Sequence, residues 1–218
     1  AGKKYPVIVE YLGNGPWSNE IGDVSIGKID GWNLGYGLSG GKNFIWVSIP
    51  FISEDGLQNQ NCWWGDVEVS KNYCINVVKK ICNEFGGNEN TVILSGFSRG
   101  AIAANYIGLH DNKISKLWAG FIVNSHYDGL KRWNYPDDDK TAARKRLERL
   151  NGRPQFICAE GKGTIKTRQY LESIEIKGDF TFLDIPYKNH TNTWILHDIP
   201  ERKIIRNWLA DIIRTKNK

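Results

Sequence analysis

The sequence predicts an α/β fold with a mostly parallel sheet covered by helices on both faces. Six short segments are rich in β-branched and aromatic residues and are apolar on both faces, as buried parallel strands are. Segments with helical spacing of apolar residues lie between most of them. Strands and helices that alternate in this way form layered α/β domains. The 218 residues suit one domain, so we expect a single domain over residues 1–218.

The strands follow from apolar runs that end at turn residues. The first run, YPVIVEYL, stops at Gly13-Asn14-Gly15-Pro16, which is a strong turn signal. Residues 17–42 and 53–65 are rich in Gly, Asn and Ser and are expected to be loops. The six predicted strands are Tyr5–Leu12, Phe44–Phe51, Thr91–Ser95, Leu117–Val123, Gln155–Ala159 and Phe180–Tyr187.

The helices follow from apolar periodicity and from end signals. Residues 66–85 carry apolar side chains at 74, 77, 78, 81 and 85, and Gly86-Gly87 ends the pattern. The last segment has an apolar stripe at 204/205, 208/209 and 212/213. The five predicted helices are Asp66–Phe85, Arg99–Leu109, Asp139–Leu150, Thr164–Ser173 and Ile199–Arg214.

Composition excludes several classes of protein. Hydrophobic residues make up 40% and charged residues 24%, which is typical of a globular chain. The net charge of +5 is mild, and no basic stripe interleaved with aromatics predicts a nucleic-acid partner. No apolar run reaches the length of a membrane span. The chain begins at Ala1 and has no methionine, so we expect a mature or trimmed form whose leader or first strands are absent. We also expect a secreted or periplasmic location.

The cysteines predict no metal site. The four cysteines form no CxxC pair and no Cys/His cluster, so a zinc site is not expected. Cys74 and Cys82 lie eight residues apart on one predicted helix and are too distant to bond each other. Buried free thiols and one disulfide that involves Cys62 both remain open.

The motif Gly96-Phe97-Ser98-Arg99-Gly100 is the strongest chemical signal. It follows a buried strand, TVILS, and opens a helix, which is the context of a nucleophile elbow. Such a turn presents the serine hydroxyl above the sheet at a helix N-terminus, whose dipole favours developing negative charge. The sequence therefore predicts Ser98 as a nucleophile.

With this motif the chain resembles the α/β-hydrolase superfamily, and within it the compact feruloyl esterases and polyhydroxybutyrate depolymerases. The resemblance implies a three-layer sandwich and an oxyanion hole that includes the backbone N–H of Arg99. A second N–H is expected from the loop after the first strand, at Gly13 or Asn14. That loop departs from the family's common His-Gly pattern, because Leu12 stands in place of the histidine.

The resemblance also places a histidine after the last strand. His190 occupies that place, and His197 is the competing candidate seven residues later. His110 is expected to cap the end of a helix, and His126 follows a strand and is expected to line the pocket. A neutral histidine is needed to take the serine proton and return it to the leaving group.

The acid has two candidates. The family's position after the penultimate strand reads Cys158-Ala159-Glu160-Gly161, without an aspartate, so Glu160 would orient the histidine there. Asp128 lies one strand earlier, where some members of the superfamily carry their acid. Both alternatives stay open from the sequence.

Aromatic residues in the predicted loops indicate a substrate surface. Loops that follow parallel strands gather at one edge of the sheet, so their aromatic rings are expected near the pocket mouth. We expect substrate contacts from Trp17, Trp63, Trp64, His126 and Tyr127, with Trp32, Trp133 and Tyr135 in neighbouring loops.

The sequence therefore predicts a serine esterase that acts on a carbohydrate-linked or aryl ester through an acyl-enzyme, without a metal or organic cofactor. The expected partner is a small-molecule or oligosaccharide ester, and the expected state is a monomer or small homo-oligomer. Two other functions remain: a prolyl-oligopeptidase-like peptidase, and a non-catalytic carbohydrate-binding protein on the same fold.

Overall fold

The computed structural model describes residues 2–18, 20, 24–25, 27–28, 31–60, 64–176 and 178–216. Within them, six strands form one sheet: β1 (Tyr5–Tyr11), β4 (Ile45–Ile49), β7 (Gly87–Phe97), β8 (Gly120–Asn124), β9 (Gln155–Glu160) and β10 (Phe180–Ile185). Their order in the sheet is β10-β9-β8-β7-β1-β4, and every neighbouring pair is parallel. The predicted α/β architecture with six strands is confirmed.

Two short antiparallel ribbons lie outside the sheet. The first pairs β2 (Trp17–Ser18) with β3 (Val24–Ser25), and the second pairs β5 (Phe51–Ile52) with β6 (Asn59–Gln60). The helices are α1 (Leu34–Ser39), α2 (Val67–Glu84), α3 (Arg99–Tyr106), α4 (Asn112–Ser115), α5 (Lys140–Leu147), α6 (Gly163–Ser173) and α7 (Pro200–Lys216). No described helix has the length and apolarity that a membrane crossing requires.

The sheet is covered on both faces because alternate residues of each strand point to opposite sides. Val7 and Val9 of β1 belong to a core that includes residues of α2, α3, α5 and α6. Ile8 belongs to a second core that includes residues of α1 and α7. Three layers result, as predicted, and the central strands are apolar on both faces for this reason.

Helix α1 is a difference from the sequence prediction, which placed residues 17–42 in a loop. Its sequence, LGYGLS, has two glycines and no strong helical signal. A Cβ on Gly35 would lie 2.0 Å from Cδ1 of Trp46, so only glycine allows this close approach to β4. Tertiary packing, rather than helix propensity, therefore determines this element.

The structure describes three of the four cysteines. Cys74, Cys82 and Cys158 are buried free thiols. Cys62 lies outside the described residues.

Candidate active site

Ser98 occupies a sharp turn between β7 and α3. Its backbone has φ 55° and ψ −120°, a region that non-glycine residues seldom occupy. The surrounding elements must hold this conformation, because such backbone strain costs on the order of 1–3 kcal/mol. Ser98 is 5% exposed, so little of the residue faces solvent.

The two glycines of the motif are required by close packing. A Cβ on Gly96 would lie 2.1 Å from the carbonyl oxygen of Gly100, and a Cβ on Gly100 would lie 2.0 Å from that of Tyr11. The strand-to-helix context predicted for the motif is thereby confirmed. The contact at Gly100 also brings the end of β1 against the start of α3.

The loop after β1 is bonded to the elbow through a buried arginine. The side chain of Arg99 is 2% exposed, and its Nη2 donates to the carbonyl oxygen of Gly13 over 3.0 Å. Its guanidinium carbon lies 4.1 Å from the ring centroid of Phe51. Gly13, one of the residues expected to supply an oxyanion donor, is therefore held next to the residue that follows Ser98.

His190 and Glu160 form a hydrogen-bonded pair. Nδ1 of His190 lies 2.7 Å from Oε1 of Glu160, the last residue of β9. The hydroxyl of Ser125 donates to the same oxygen over 2.6 Å. Burial raises the pKa of Glu160, but the hydrogen bond and charge of His190 and the bond from Ser125 outweigh it and hold that pKa below its usual value.

The pair fixes the tautomer of the imidazole. An ionised carboxylate only accepts hydrogen bonds, so Nδ1 of His190 carries the proton. In the neutral ring Nε2 is then the basic nitrogen. This is the arrangement that a general base needs.

A second histidine lies between Ser98 and His190. Nδ1 of His126 is 3.5 Å from Oγ of Ser98, and its ring centroid is 4.9 Å from that of His190. The ring of Phe97, the residue before Ser98, lies 4.6 Å from the ring of His190. One connected cluster at the carboxyl ends of β7, β8, β9 and β10 therefore holds the serine, both histidines and Glu160.

Several solved esterases share this architecture. An esterase of the fungus Rhizomucor miehei matches with TM-score 0.65 at 13% identity, over 99% of this chain and 76% of that one. An esterase of the Planctomycetes species Thermogutta terrifontis matches with TM-score 0.59 at 13% identity, over 96% and 82% of the two chains. The chain has the α/β-hydrolase fold.

The likeness to these hydrolases lies in the fold, not in close sequence similarity. A thermostable esterase matches with TM-score 0.55 at 15% identity, over 96% of this chain, which spans 55% of that protein. No family model matches the chain, and no curated protein matches it.

Asp128, the other candidate acid, lies elsewhere in the hydrolase fold. Its carboxylate accepts from Nε of Arg146 over 2.7 Å and from Nη2 over 3.1 Å, and the hydroxyl of Tyr135 donates to it over 3.1 Å. Asp128 is 0% exposed and Arg146 is 6% exposed. The structure therefore pairs Asp128 with an arginine, and it brings Glu160, not Asp128, to His190.

Two of the residues expected to contact substrate lie in the core instead. Trp64 is 2% exposed and packs edge-on against Phe51 and Tyr135. Tyr127 is 1% exposed, and its hydroxyl donates to Gln155. Neither ring is exposed, so the structure does not support the expected substrate contact of either residue. Trp63 lies outside the described residues, and of Trp17 only the backbone is described.

The remaining histidines are separate from the cluster. His110 is paired with Glu68, with 3.0 Å between Nε2 and Oε1. His197 is exposed, and its ring lies 5.7 Å from the ring of Tyr187. Among the described residues, no group of three or more His, Cys, Asp or Glu side chains is placed to hold a metal ion.

Sequence reasoning missed two polar residues near the elbow. Ser125 follows β8 directly and has φ 83°, and its hydroxyl bonds Glu160. Its position between a strand end and His126 was the available signal. Glu10 lies inside β1, is 1% exposed, and accepts hydrogen bonds from Leu34, Gly35 and Trp46. A single carboxylate in an apolar run carries no pattern that reveals such a role.

His126 should make stability depend on pH. Burial, together with the charge of His190, lowers the pKa of His126 from 6.5 to about 4. Between these values the unfolded chain binds the extra proton, so stability rises with pH and is lost as pH falls from 6.5 to 4. The contribution is at most about 3 kcal/mol. We expect the free energy of unfolding, measured with urea, to fall less between pH 6.5 and 4 for His126→Gln than for the wild type.

The comparison of His126→Gln with the wild type separates the effect of His126 from that of Glu10, a buried acid. Burial raises the pKa of Glu10 from 4.5 to about 7, which gives the opposite slope, with stability that falls as pH rises through this range. Glu10 is present in both proteins, so its contribution cancels in the difference. Equal pH slopes for variant and wild type would contradict the assignment.

Proposed function

We propose that the protein is a serine hydrolase that cleaves an ester bond through an acyl-enzyme on Ser98. The observation that carries this proposal is the 2.7 Å pair of His190 and Glu160 in the same cluster as a serine held at φ 55°. A nucleophile, a base and a group that orients the base are the parts that such chemistry requires.

In the proposed mechanism, Nε2 of His190 takes the proton of Ser98 as the serine attacks the ester carbonyl. Glu160 stabilises the imidazolium that forms, because it is an ionised carboxylate bonded to Nδ1. His190 then gives the proton to the leaving alcohol. Water, activated by the same histidine, attacks the acyl-enzyme and releases the acid.

The negative oxygen of the tetrahedral intermediate is assigned to backbone donors. The N–H of Arg99, at the start of α3, and an N–H of Gly13 or Asn14 are the proposed pair. The bond from the Arg99 side chain to Gly13 supports this role, because it fixes the loop relative to the elbow. Each such donor is typically worth about 10²–10³ in kcat.

His190 is the proposed base, although His126 approaches the hydroxyl of Ser98 to 3.5 Å. The base must carry a positive charge during the reaction. The carboxylate of Glu160 favours that charge on His190, whereas burial holds the pKa of His126 at about 4 and opposes it. His126 is therefore assigned a role as a neutral wall of the site.

The proposed substrate is an aryl or carbohydrate-linked ester. Trp133, a half-buried aromatic residue, lies with its ring 5.2 Å from the ring of His126 and supplies a surface of the kind that sugar or aryl rings pack against. The Rhizomucor miehei and Thermogutta terrifontis proteins of similar fold are esterases, which supports ester over amide hydrolysis.

Active-site labelling combined with a substrate panel tests this function. A fluorophosphonate should label the folded protein at Ser98, located by peptide mass spectrometry, and short-chain p-nitrophenyl esters should be hydrolysed faster than peptide p-nitroanilides. Faster cleavage of the anilides would favour a peptidase. An unlabelled, folded protein without hydrolysis would favour a non-catalytic binding protein and would refute the proposal.

A further inference from the structure

A small cavity adjoins the proposed catalytic cluster. It has a volume of about 160 Å³. Its wall includes Gly13 of the loop after β1, Phe97 next to the nucleophile and Thr191 next to His190. Sites for drug-sized ligands usually occupy about 300–1,000 Å³, so this cavity suits a small substituent rather than a whole substrate.

Glu10 lines the cavity and is 1% exposed. Oε2 accepts from the N–H of Gly35 over 2.8 Å and from Nε1 of Trp46 over 3.0 Å, and Oε1 accepts from the N–H of Leu34 over 3.3 Å. A carboxylate oxygen has two lone pairs, so Oε1, with the longer bond, can accept a further donor.

A further hydrogen-bond donor would stabilise the charged form of Glu10. Burial raises the pKa of Glu10 to about 7, although hydrogen bonds from Gly35, Leu34, Trp46 and the backbone of Asn33 act in the opposite direction. The present donors therefore do not fully compensate for the loss of water around the charged form. Another O–H donor in the cavity would stabilise the carboxylate.

The other polar residues of the wall disfavour a charged occupant. Residues of opposite charge, Lys28 and Glu10, both line the cavity, so the lining as a whole matches neither a cation nor an anion. Nδ2 of Asn33 donates to Oδ1 of Asn192 over 3.0 Å, which holds two amides in place. The pair leaves an amide oxygen and an amide nitrogen for other bonds, which suits a group that both donates and accepts, as a hydroxyl does.

We propose that this cavity is the subsite for a neutral, hydroxyl-bearing group adjacent to the scissile ester, with Glu10 as the acceptor of its hydrogen bond. The inference rests on the proposed esterase function. The hydroxyl can belong to the acyl group, as in a short hydroxyacyl ester, or to the alcohol, as in a polyol or sugar ester. The shared chemistry is the hydroxyl, and two experimental arms separate its sources.

Matched ester pairs test the subsite on the wild-type protein. The acyl arm compares p-nitrophenyl 3-hydroxybutyrate with p-nitrophenyl butyrate, and the alcohol arm compares 2,3-dihydroxypropyl acetate with propyl acetate. A preference in kcat/KM on the order of 10- to 100-fold for the hydroxylated member is expected in one arm, since a site built to bind a hydroxyl rejects the analogue that lacks it. The arm that shows the preference identifies the source.

Glu10→Gln should bring the ratio of the two kcat/KM values close to one in that arm. Glu84→Gln is the matched control, because Glu84 is exposed at the end of α2, and it should keep the wild-type ratio. If Glu10→Gln does not fold, the matched ester pairs still test the subsite on the wild-type protein.

The outcomes separate this inference from the proposed function. Equal kcat/KM values within both pairs, with Ser98 labelled and esters hydrolysed, would overturn the subsite and leave the esterase in place. A preference that survives unchanged in folded Glu10→Gln would overturn the role of Glu10. Absence of both hydrolysis and labelling would overturn the proposed function, and this inference with it.

Discussion

Ser98→Ala is expected to lower kcat for a p-nitrophenyl ester by a factor on the order of 10⁶. The alanine has no hydroxyl, so no acyl-enzyme can form, and the remaining rate comes from the oxyanion donors and binding alone. The measurement is kcat under saturating ester, together with fluorophosphonate labelling, which should disappear in the variant.

Folding should not account for the loss. The substitution removes a single oxygen atom from a site that is 5% exposed. The backbone strain at φ 55° is similar for serine and alanine, because neither is glycine. Ser95→Ala is a matched control on the same strand, because Ser95 is buried and its hydroxyl donates to the carbonyl oxygen of Val9 over 3.1 Å. It should keep wild-type kcat. Ester turnover by Ser98→Ala at the wild-type rate would refute the mechanism.

The sheet could be predicted because its strands are buried on both faces. Residues 5–12 predicted β1 (Tyr5–Tyr11) closely, since a β-branched run followed by Gly-Asn-Gly-Pro has few alternatives. Helix α1 could not be predicted in this way. The N–H groups of Leu34 and Gly35, at its first turn, donate to the carboxylate of Glu10, which is 24 and 25 residues distant in sequence. The interaction that holds the start of α1 is therefore absent from the local pattern.

Those residues of the site that lie at strand ends could be predicted from the sequence, because the strand order determines where they meet. Ser98 and His190 follow the carboxyl ends of parallel strands and Glu160 is the last residue of one, so their proximity is a property of the topology. The choice between Glu160 and Asp128 is different, because Asp128 also follows a strand. Arg146, 18 residues after Asp128, provides its partner, and no sequence signal connected the two.

Aromatic residues could not be assigned from composition. Trp64 and Trp133 both follow Gly- or polar-rich segments, but the first is 2% exposed and packs in the core, while the second is half-buried beside His126. A large ring stabilises a core as readily as it forms a binding surface. Only the position of the neighbouring strands separates the two uses.

Glu160→Gln is expected to lower kcat by about 10³–10⁴ while the protein stays folded. The amide lacks the negative charge that stabilises the imidazolium, and its NH₂ group can favour the wrong tautomer of His190. The measurement is kcat for an aryl ester, with the free energy of unfolding from urea denaturation as the check on folding. Unchanged kcat would remove Glu160 from the mechanism.

Asp128→Asn should show the opposite pattern, and the contrast decides between the two acids. Asp128 is 0% exposed and its carboxylate forms two bonds to Arg146, so the variant leaves a buried guanidinium without its countercharge. Removing one partner of a buried ion pair costs about 3–5 kcal/mol. The free energy of unfolding should fall by this amount, while kcat per folded molecule stays near that of the wild type. A large fall in kcat with unchanged stability would instead assign the acid role to Asp128, and Nδ1 of His190 would then need to leave Glu160 during the reaction.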